Sequence, residues 1–308
     1  NVKYMINIII FFSSVVITII FFLLINLYFR TDKKVEEYNI NTRICVECNE
    51  ENIINKFKLN YSEYADDNGN VELKIKVNKY DDRAERFEVA LMNNYNQISF
   101  TIGDNYEKVL TYIFSINEFE EEKIVNILIP RENFVYTNNF VLSIRQDIDI
   151  YCGENELARE LGTVCLNFEF INQDGLKTDI NCSNQEISNI KSTQRTEILL
   201  ECLNRKDTAL LQVKPGEEIK MRMTIGVNEN SGNILMWACL NSKQIEINNK
   251  KISCINLEKG TEGELNIYFT APKEKGTYEF ELFCQPYDFT GTSKYYIISS
   301  ERYTIRVK

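Results

Sequence analysis

The sequence contains no histidine, and it has one tryptophan and four prolines in 308 residues. Without histidine there is no Ser-His-Asp triad, Cys-His dyad, HExxH zinc site or histidine-ligated haem or copper. Most routes to hydrolysis and redox chemistry at neutral pH are therefore closed. Catalysis by carboxylates alone, as in glycoside hydrolysis, is the enzymatic alternative that stays open. We expect a protein that is not an enzyme and that carries no cofactor.

Basic residues are fewer than acidic ones. The chain has 35 lysines and arginines against 45 aspartates and glutamates, a net charge of −10. An acidic protein of this kind is repelled by the phosphate backbone of nucleic acids. We therefore expect no nucleic-acid partner.

One long stretch near the start has no charged side chain at all. Residues 5–27 are almost entirely apolar, and no charge lies between Lys3 and Arg30. At 1.5 Å rise per residue, a helix of this length crosses a hydrocarbon core about 30 Å thick. The run predicts a hydrophobic helix over 1–30 that contacts either a lipid bilayer or identical subunits. Four of its side chains mark that surface: Met5, Phe11, Ile17 and Leu23.

Cysteine, in contrast, is abundant. The nine cysteines cluster before position 49 and after position 151: Cys45, Cys48, Cys152, Cys165, Cys182, Cys202, Cys239, Cys254 and Cys284. Such a number is typical of oxidising compartments, and we interpret most of them as disulfides worth about 2–4 kcal/mol each. Cys45 and Cys48 lack a second CxxC pair, which favours a local disulfide or redox pair over half a zinc ribbon. No metal site is predicted from these residues.

The charges beside the apolar run and the cysteines indicate opposite orientations. Arg30, Lys33 and Lys34 outnumber Lys3, so the positive-inside rule places the bulk of the chain in the cytoplasm. Long domains, however, translocate largely regardless of such charges. We give the cysteines more weight and expect a single-pass protein of the cell membrane whose bulk lies outside the cytoplasm.

Period-two alternation dominates the rest of the sequence. In Val71–Val77 apolar residues alternate with Glu72, Lys74 and Lys76, which is typical of a strand with one buried face. Similar short segments follow at 87–91, 98–102, 108–116, 123–129, 139–145 and 163–170, and again at 219–225, 234–239, 265–269, 278–284 and 303–307. The pattern predicts an all-β protein. Its predicted parts are a stalk over 31–60, a β-sandwich over 61–172, a linker over 173–206 and a second β-sandwich over 207–308.

The second sandwich resembles a known kind of module. The residues that carry the resemblance are Val213-Lys214-Pro215-Gly216-Glu217, Trp237-Ala238-Cys239, Ala271-Pro272, Gly276-Thr277-Tyr278 and Cys284. Together they look like the immunoglobulin-like or fibronectin-type-III-like modules of prokaryotic, archaeal-type surface proteins. The resemblance implies two antiparallel sheets, a core tryptophan on the third strand and a tyrosine corner before the sixth. Cys239 with either Cys284 or Cys254 is a possible bridge, and the pairing stays open.

The first thirty residues resemble another family in layout. Only the four residues Asn-Val-Lys-Tyr precede the apolar run. This layout resembles that of archaeal type IV pilins and archaellins after removal of a leader peptide. That resemblance implies a filament subunit whose helix packs against other copies. A plain signal anchor is the alternative interpretation.

Several acidic groups are candidate sites. Asp66, Asp67 and Asn68 in Asp-Asp-Asn-Gly-Asn are weak calcium candidates, and a turn is the favoured interpretation. The cluster Glu118–Glu122 fits a solvated loop. Asp147 and Asp149 stand two apart on an apparent strand, and this is the minimum for carboxylate catalysis. The structural interpretation is favoured here as well.

Aromatic residues and sequons complete the candidates. Trp237 with Tyr278 and Phe280 suggests a carbohydrate platform, although a lone tryptophan is more often part of a core. Tyr295 and Tyr296 are adjacent, so one of them is expected at the surface. Asn60-Tyr61-Ser62 and Asn181-Cys182-Ser183 match the N-glycosylation pattern at Asn60 and Asn181.

These observations combine into one expected function. We expect a membrane-anchored, extracytoplasmic binding, adhesion or cell-envelope protein, with a protein or glycan ligand that the sequence does not identify. The alternative is a pilin-like subunit of an extracellular filament.

Overall fold

The computed structural model describes residues 42–53, 58–79, 85–103, 107–118, 120–134, 137–153, 163–172, 183–203, 209–227, 232–287 and 297–308. Within these residues the chain is built almost entirely of β-strands, as expected. Ile44–Lys308 forms one compact unit. The predicted hydrophobic helix with Met5, Phe11, Ile17 and Leu23 lies outside the described residues, as do Tyr295, Tyr296, Asn181 and Cys182. In the part of the chain that is described, no helix has the length and apolarity needed to span a membrane.

The first half of the compact unit forms two sheets. Its strands are β1 (Thr42–Cys48), β2 (Glu51–Asn52), β3 (Leu59–Asn60), β4 (Val71–Lys79), β5 (Glu85–Asn93), β6 (Asn96–Ile98), β7 (Phe100–Ile102), β8 (Lys108–Val109), β9 (Thr111–Ile116), β10 (Glu122–Ile129), β11 (Thr137–Gln146) and β12 (Thr163–Ile171). Sheet 1 has the order β2-β1-β4-β10-β7-β8. Sheet 2 has the order β3-β12-β11-β5-β6, and β9 also pairs with β5. A single-turn helix, α1 (Tyr61–Tyr64), joins them.

The second half repeats this plan. Its strands are β13 (Ser183–Asn184), β14 (Ser188–Ser192), β15 (Glu197–Cys202), β16 (Leu210–Val213), β17 (Glu218–Val227), β18 (Gly232–Leu240), β19 (Lys243–Ile245), β20 (Ser253–Leu257), β21 (Thr261–Thr270), β22 (Gly276–Tyr287), β23 (Ile298–Ser299) and β24 (Tyr303–Val307). Sheet 3 has the order β13-β20-β18-β22-β24-β16, with β19 on β18 and β23 on β22. Sheet 4 has the order β14-β21-β17-β15.

Both halves have an immunoglobulin-like strand order. Sheets 1 and 4 contain the equivalents of strands A, B and E, and sheets 2 and 3 contain A′, G, F and C. In each half a short strand pairs parallel to the last long strand: β3 with β12 and β16 with β24. Pairs between long strands such as β4 with β10 and β17 with β21 are antiparallel. The order of strands itself therefore identifies the architecture.

Each half has its own hydrophobic core between its two sheets. The alternation predicted for Val71–Val77 is confirmed, because β4 buries Val71, Leu73, Ile75 and Val77. In the second half, β17 buries Ile219, Met221, Met223 and Ile225 in the same manner. Apolar burial of this kind is the main favourable contribution to folding. The period-two pattern thus located both cores.

The predicted stalk and linker contain strands that belong to the sandwiches. β1 and β3 lie in the segment expected as a stalk, and they join sheets 1 and 2. β13, β14 and β15 lie in the segment expected as a linker, and they join sheets 3 and 4. In β1, Val46 and Cys48 reach the first core. The boundaries at 61 and 207 therefore begin each sandwich too late.

A third apolar cluster lies between the two sandwiches, where the outer faces of sheets 2 and 3 meet. We call it the contact patch. Its buried members from the first half are Met92, Tyr95 and Val141, and those from the second half are Leu235, Trp237, Cys239, Ile252, Cys254 and Phe283. On β18, residues of one parity enter the second core while Leu235, Trp237 and Cys239 enter the contact patch. Strands such as β18 are thus buried on both faces.

Trp237 corrects one expectation drawn from the resemblance. The tryptophan is buried, as expected, but it lies in the contact patch and not in the core of its own sandwich. Its ring stacks on Phe283 at 5.6 Å and contacts Tyr95 of the other sandwich at 5.2 Å between ring centroids. The tyrosine corner, in contrast, is confirmed, because Tyr278 Oη donates a hydrogen bond to the carbonyl oxygen of Glu274 over 3.1 Å.

Candidate functional site

A concave groove of about 920 Å³ lies along one edge of the second sandwich. Its walls come from three places: the residues after β13, the turn after β19, and β21 with the start of β17. Ile245, Leu265 and Phe269 are its aliphatic and phenyl lining residues, and Leu265 and Phe269 also belong to the second core. Ligand pockets commonly have volumes of about 300–1,000 Å³. The groove is the candidate binding site among the described residues.

Asn248 fixes the shape of the groove. Asn248 and Asn249 both have positive φ, 52° and 61°, and they form a two-residue turn closed by the bridge between Ile247 and Lys250. Asparagine tolerates this left-handed conformation better than most residues. The turn is held on β21 because Asn248 N donates to Tyr268 O at 2.9 Å and Tyr268 N donates to Asn248 Oδ1 at 2.8 Å. Asn248 therefore forms the hydrogen bonds to Tyr268 that a residue of a strand paired with β21 would form.

Four carboxylates give the groove its charge, and no lysine or arginine lines it. They are Glu186, Glu218, Glu246 and Glu264. Two have cationic neighbours outside the lining: Glu218 lies 3.1 Å from Lys220 Nζ, and Glu264 lies 3.9 Å from Arg222 Nε. Within the described part of the chain, Glu186 and Glu246 form no ion pair. The groove is therefore electronegative, most of all at Glu186 and Glu246.

A second polar cluster lies between the sandwiches, beside the contact patch. We call Glu88, Arg145, Glu279, Glu281 and Arg302 the interface cluster. All five side chains are buried. Arg145 of the first sandwich lies 2.8 Å from Glu88 and 3.3 Å from Glu279 of the second. Arg302 lies 3.4 Å from Glu279 and 3.8 Å from Glu281. These ion pairs join the two halves.

Neutral hydrogen bonds extend the same contact. Thr163 Oγ1 of the first sandwich donates to Glu281 Oε2 over 2.8 Å. Gln97 and Gln244 bond reciprocally: Gln97 N donates to Gln244 Oε1 at 2.9 Å, and Gln244 N donates to Gln97 Oε1 at 2.8 Å. A buried polar network is stabilising only when its members find partners. Here the partners come from both sandwiches, which fixes how the two halves pack.

The cysteines correct a central expectation. Among the described residues, seven cysteines are not in a disulfide: Cys45, Cys48, Cys152, Cys165, Cys202, Cys239 and Cys284. Cys254 is disulfide-bonded, and its partner is not among the described residues. Cys45 and Cys48 stand three apart on β1, so their side chains point to opposite faces of the sheet. The local Cys45–Cys48 disulfide is therefore wrong.

The suggested bridges of Cys239 fail for a similar reason. Cys239 lies in the contact patch, whereas Cys284 lies in the second core on the other face of sheet 3. The thiols of both residues are free. Burial raises the pKa of Cys48 to about 12, and it raises the pKa of Cys239 and Cys284 as well. Buried thiols with raised pKa values are poor nucleophiles, so these cysteines serve as small apolar core residues.

The Asp66–Asn70 segment forms a turn that leads into β4. Asp66 Oδ1 accepts hydrogen bonds from the backbone N–H groups of Asn68 and Asn70, at 2.9 and 2.7 Å. Asp66 Oδ2 accepts from the side chain of Asn70 at 3.2 Å. The backbone hydrogen bond from Asn70 contributes most to lowering the pKa of Asp66. No group of three potential ligands, with or without Asp67, is found within the described segments.

The predicted carboxylate pair is not arranged as expected. Asp147 follows β11 with a positive φ of 54°, and Asp149 lies in the next turn. They are therefore not on one strand and do not share its face. Asp149 instead accepts both of its bonds from Arg86 Nη1, at 2.8 and 2.7 Å. The strand assignment failed because Asp147 leaves the extended conformation.

The other sequence candidates are dispersed. Phe280 is buried in the second core and stacks on Phe269, so it forms no platform with Trp237 and Tyr278. Glu118 and Glu121 are exposed, as a solvated loop requires. Asn60 is exposed, and its side chain donates to Glu63 Oε1 over 3.2 Å. None of these residues lines the groove.

Sequence reasoning missed both polar clusters. The groove carboxylates are far apart in sequence, at 186, 218, 246 and 264, so no local spacing brings them together. The two consecutive asparagines at 248 and 249 were a detectable turn signal. In the interface cluster, Glu279 and Glu281 alternate with apolar residues on β22 and thus look solvent-exposed.

Comparisons with known proteins add little. No family model matches the sequence, and no curated protein matches it. Among solved structures, the CARDB domain of a Pyrococcus furiosus protein in complex with di-metal ions is 12% identical, with 40% of this chain and 96% of that chain covered and a TM-score of 0.25. WR4, a C. elegans MSP family member, is 8% identical over 37% of this chain and 100% of that chain, with a TM-score of 0.23. Red sea bream transglutaminase is 7% identical over 90% of this chain and 32% of that chain, with a TM-score of 0.22. These values carry no functional argument.

Proposed function

We propose that the chain is a binding protein of the cell surface, and that its groove recognises a positively charged, extended ligand such as a lysine- or arginine-containing peptide segment. The observation that carries the proposal is the groove itself. Four glutamates line it together with Ile245, Leu265 and Phe269, and no cationic side chain lines it. Such a surface attracts cations and repels anions.

The scaffold suits this role because both the contact between the sandwiches and the wall of the groove are fixed by specific contacts. The interface cluster and the contact patch join the two sandwiches within one compact unit. Asn248 holds one wall of the groove on β21 through backbone hydrogen bonds. A site supported in this manner loses little conformational entropy when a ligand binds. The proposal therefore assigns recognition to the second sandwich.

The test is binding of the full chain to a set of lysine-containing peptides and to acidic peptides of the same length. We expect measurable affinity for the basic set only. The double variant Glu186→Gln/Glu246→Gln should weaken it about 10-fold, because each exposed charge pair contributes up to about 1 kcal/mol. The affinity of the wild type should also fall as salt rises, since exposed charges are screened.

The matched control is Glu118→Gln/Glu121→Gln, which removes two exposed carboxylates from the first sandwich. This control should bind like the wild type. An equal loss of affinity in both double variants would show that only the net charge of the protein matters, and it would refute the groove as the site. Binding of neutral glycans without salt dependence would refute the charged class of ligand.

We further propose that the apolar run 5–27 anchors the chain in a membrane with the sandwiches outside the cytoplasm. Because seven of the described cysteines are not in disulfides, the number of cysteines does not support this location. Its support is now the length of the apolar run and the exposed sequon at Asn60. After alkaline carbonate extraction, the chain is expected in the membrane pellet, and protease added to intact cells should degrade it. Release by carbonate, or sheared filaments containing the chain, would overturn the anchor.

A further inference from the structure

The interface cluster contains more acidic than basic groups. Three carboxyls, from Glu88, Glu279 and Glu281, face two guanidiniums, from Arg145 and Arg302. All are shielded from water. If every group were ionised, one negative charge would stay uncompensated in a buried site. A buried carboxyl in that situation takes up a proton instead.

Glu279 is the carboxyl at the centre of the cluster. Its Oε2 is shared between Arg145 Nη1 at 3.3 Å and Arg302 Nη1 at 3.4 Å. Both distances exceed those of a strong charge-assisted hydrogen bond. Its Oε1 is buried and accepts no hydrogen bond among the described residues. A negative charge on Glu279 is therefore compensated only through two long contacts to one of its oxygens.

Other titratable groups around the cluster do not supply the missing positive charge. Tyr151, after β11, interacts with Glu279, and Asp147 interacts with Arg302. The thiols of Cys165 and Cys239 lie near Glu281. These groups are neutral or acidic. The excess of negative charge in the cluster therefore remains when these neighbours are included.

We propose that Glu279 takes up one proton from solvent when the two sandwiches pack together, so that their contact is tighter in mildly acidic than in alkaline solution. The proposal concerns a pH-sensitive contact within the fold and does not depend on what the groove binds. It reverses the usual acid sensitivity of buried ion pairs.

The direction follows from the electrostatics. Burial raises the pKa of Glu279 from 4.5 to about 7, against the opposing effect of Arg302 and Arg145. Burial also raises the pKa of Glu281. A carboxyl with a raised pKa in the folded chain contributes its full stabilisation below pH 4.5, and this is lost as the pH rises through about 7. The contact should therefore weaken between pH 5 and pH 8.

The molecule contains two local reporters of this contact. Trp237 is the one tryptophan of the chain. Its ring lies between Phe283 of its own sandwich and Tyr95 of the first sandwich. The backbone amides of Gln97 and Gln244 are bonded across the contact. Their hydrogen-exchange protection measures how often the two sandwiches separate. Neither reporter is itself titratable in this range.

The experiment measures protection factors of the Gln97 and Gln244 amides in the full chain from pH 5 to pH 8. Protection factors are corrected for the pH dependence of intrinsic exchange. In the wild type we expect them to fall about 100-fold, since a pKa raised by more than two units changes the opening equilibrium by that order. Quenching of Trp237 fluorescence by acrylamide should rise in parallel.

Glu279→Gln keeps the shape and removes the titration of the central carboxyl, and it leaves Glu88 and Glu281 balanced by Arg145 and Arg302. Its protection factors should therefore change much less over the same range. Glu274→Gln, an exposed glutamate on the preceding turn, should behave like the wild type. A fall in protection that is as large in Glu279→Gln would overturn the proposal. If that variant does not fold, the carbon-13 carboxyl titration of Glu279 in the wild type decides: a midpoint near 4.5 overturns it, and one near 7 supports it.

Discussion

Replacement of Arg302 by methionine is expected to lower the free energy of unfolding by about 3–5 kcal/mol, because it leaves buried carboxylates without their partner. The guanidinium of Arg302 is fully buried. It lies between Glu279 and Glu281 of its own sandwich. It also donates to Gln146 O at 2.8 Å and to Thr163 Oγ1 at 3.3 Å, both in the first sandwich. One side chain thus serves both halves of the fold.

Urea denaturation followed by far-ultraviolet circular dichroism measures this loss. The matched control is Arg222→Met on the outer face of sheet 4, where the guanidinium is 43% exposed and 3.9 Å from its partners. A surface change of this kind alters stability by about 0.5 kcal/mol or less. A loss of similar size in both variants would show that Arg302 contributes no more than a surface arginine.

A triple variant separates charge from packing. Arg302→Met/Glu279→Gln/Glu281→Gln removes the cation together with the two carboxyls it faces, so no uncompensated charge is left there. Replacement of a whole buried ionic group by neutral residues is often neutral or stabilising. We expect the triple variant to recover most of the lost stability. If it is less stable than Arg302→Met alone, the damage comes from lost packing and hydrogen bonds.

The sequence predicted those parts of the fold in which one face of a strand is buried and the other is exposed to solvent. β4 is the clearest case, since its lysines and Glu72 alternate with Val71 and Leu73. β17 follows the same rule. Hydrophobic period and sheet geometry share a repeat of two. For such strands, composition alone determines the face that enters the core.

Strands at edges and strands buried twice were harder to predict. β14 is exposed at every position and contains one apolar residue, Ile190, so it has no hydrophobic period to detect. β1 does alternate, with Val46 and Cys48 buried, but its CxxC spacing is equally typical of a disulfide or redox pair. β18, with the run Ile-Leu-Met-Trp-Ala-Cys-Leu, is apolar throughout because it packs on both faces. That run was the available signal for the contact patch.

The groove and the interface cluster depend on tertiary structure. Glu279 and Glu281 have the spacing of exposed strand residues, and only the second sandwich's contact with Arg145 makes them buried. Similarly, Glu186 and Glu246 approach each other only after β13 and β19 have joined sheet 3. The hydrophobic pattern of the sequence does not encode these contacts between residues far apart in the chain. The candidate site is therefore formed by residues that only the folded chain brings together, whereas the fold class follows from the local pattern.

Replacement of Trp237 by alanine is expected to cost about 3–5 kcal/mol, the usual loss for a buried tryptophan. The cost alone does not distinguish a core residue from a contact residue, because either is fully buried. A double-mutant cycle does distinguish them. Trp237 contacts Tyr95 of the first sandwich at 5.2 Å between ring centroids. We therefore expect a coupling energy of about 0.5–1.5 kcal/mol between Trp237→Ala and Tyr95→Ala.

Phe269 provides the matched control for this cycle. Phe269 is an aromatic residue of the second core on sheet 4, and it stacks on Phe280. Because Trp237 points away from that core, the cycle of Trp237→Ala with Phe269→Ala should show a coupling below about 0.5 kcal/mol. Circular dichroism in urea measures all variants, since it does not depend on the tryptophan. Strong coupling to Phe269 with none to Tyr95 would return Trp237 to the core of its own sandwich and remove the contact patch as the link between the two halves.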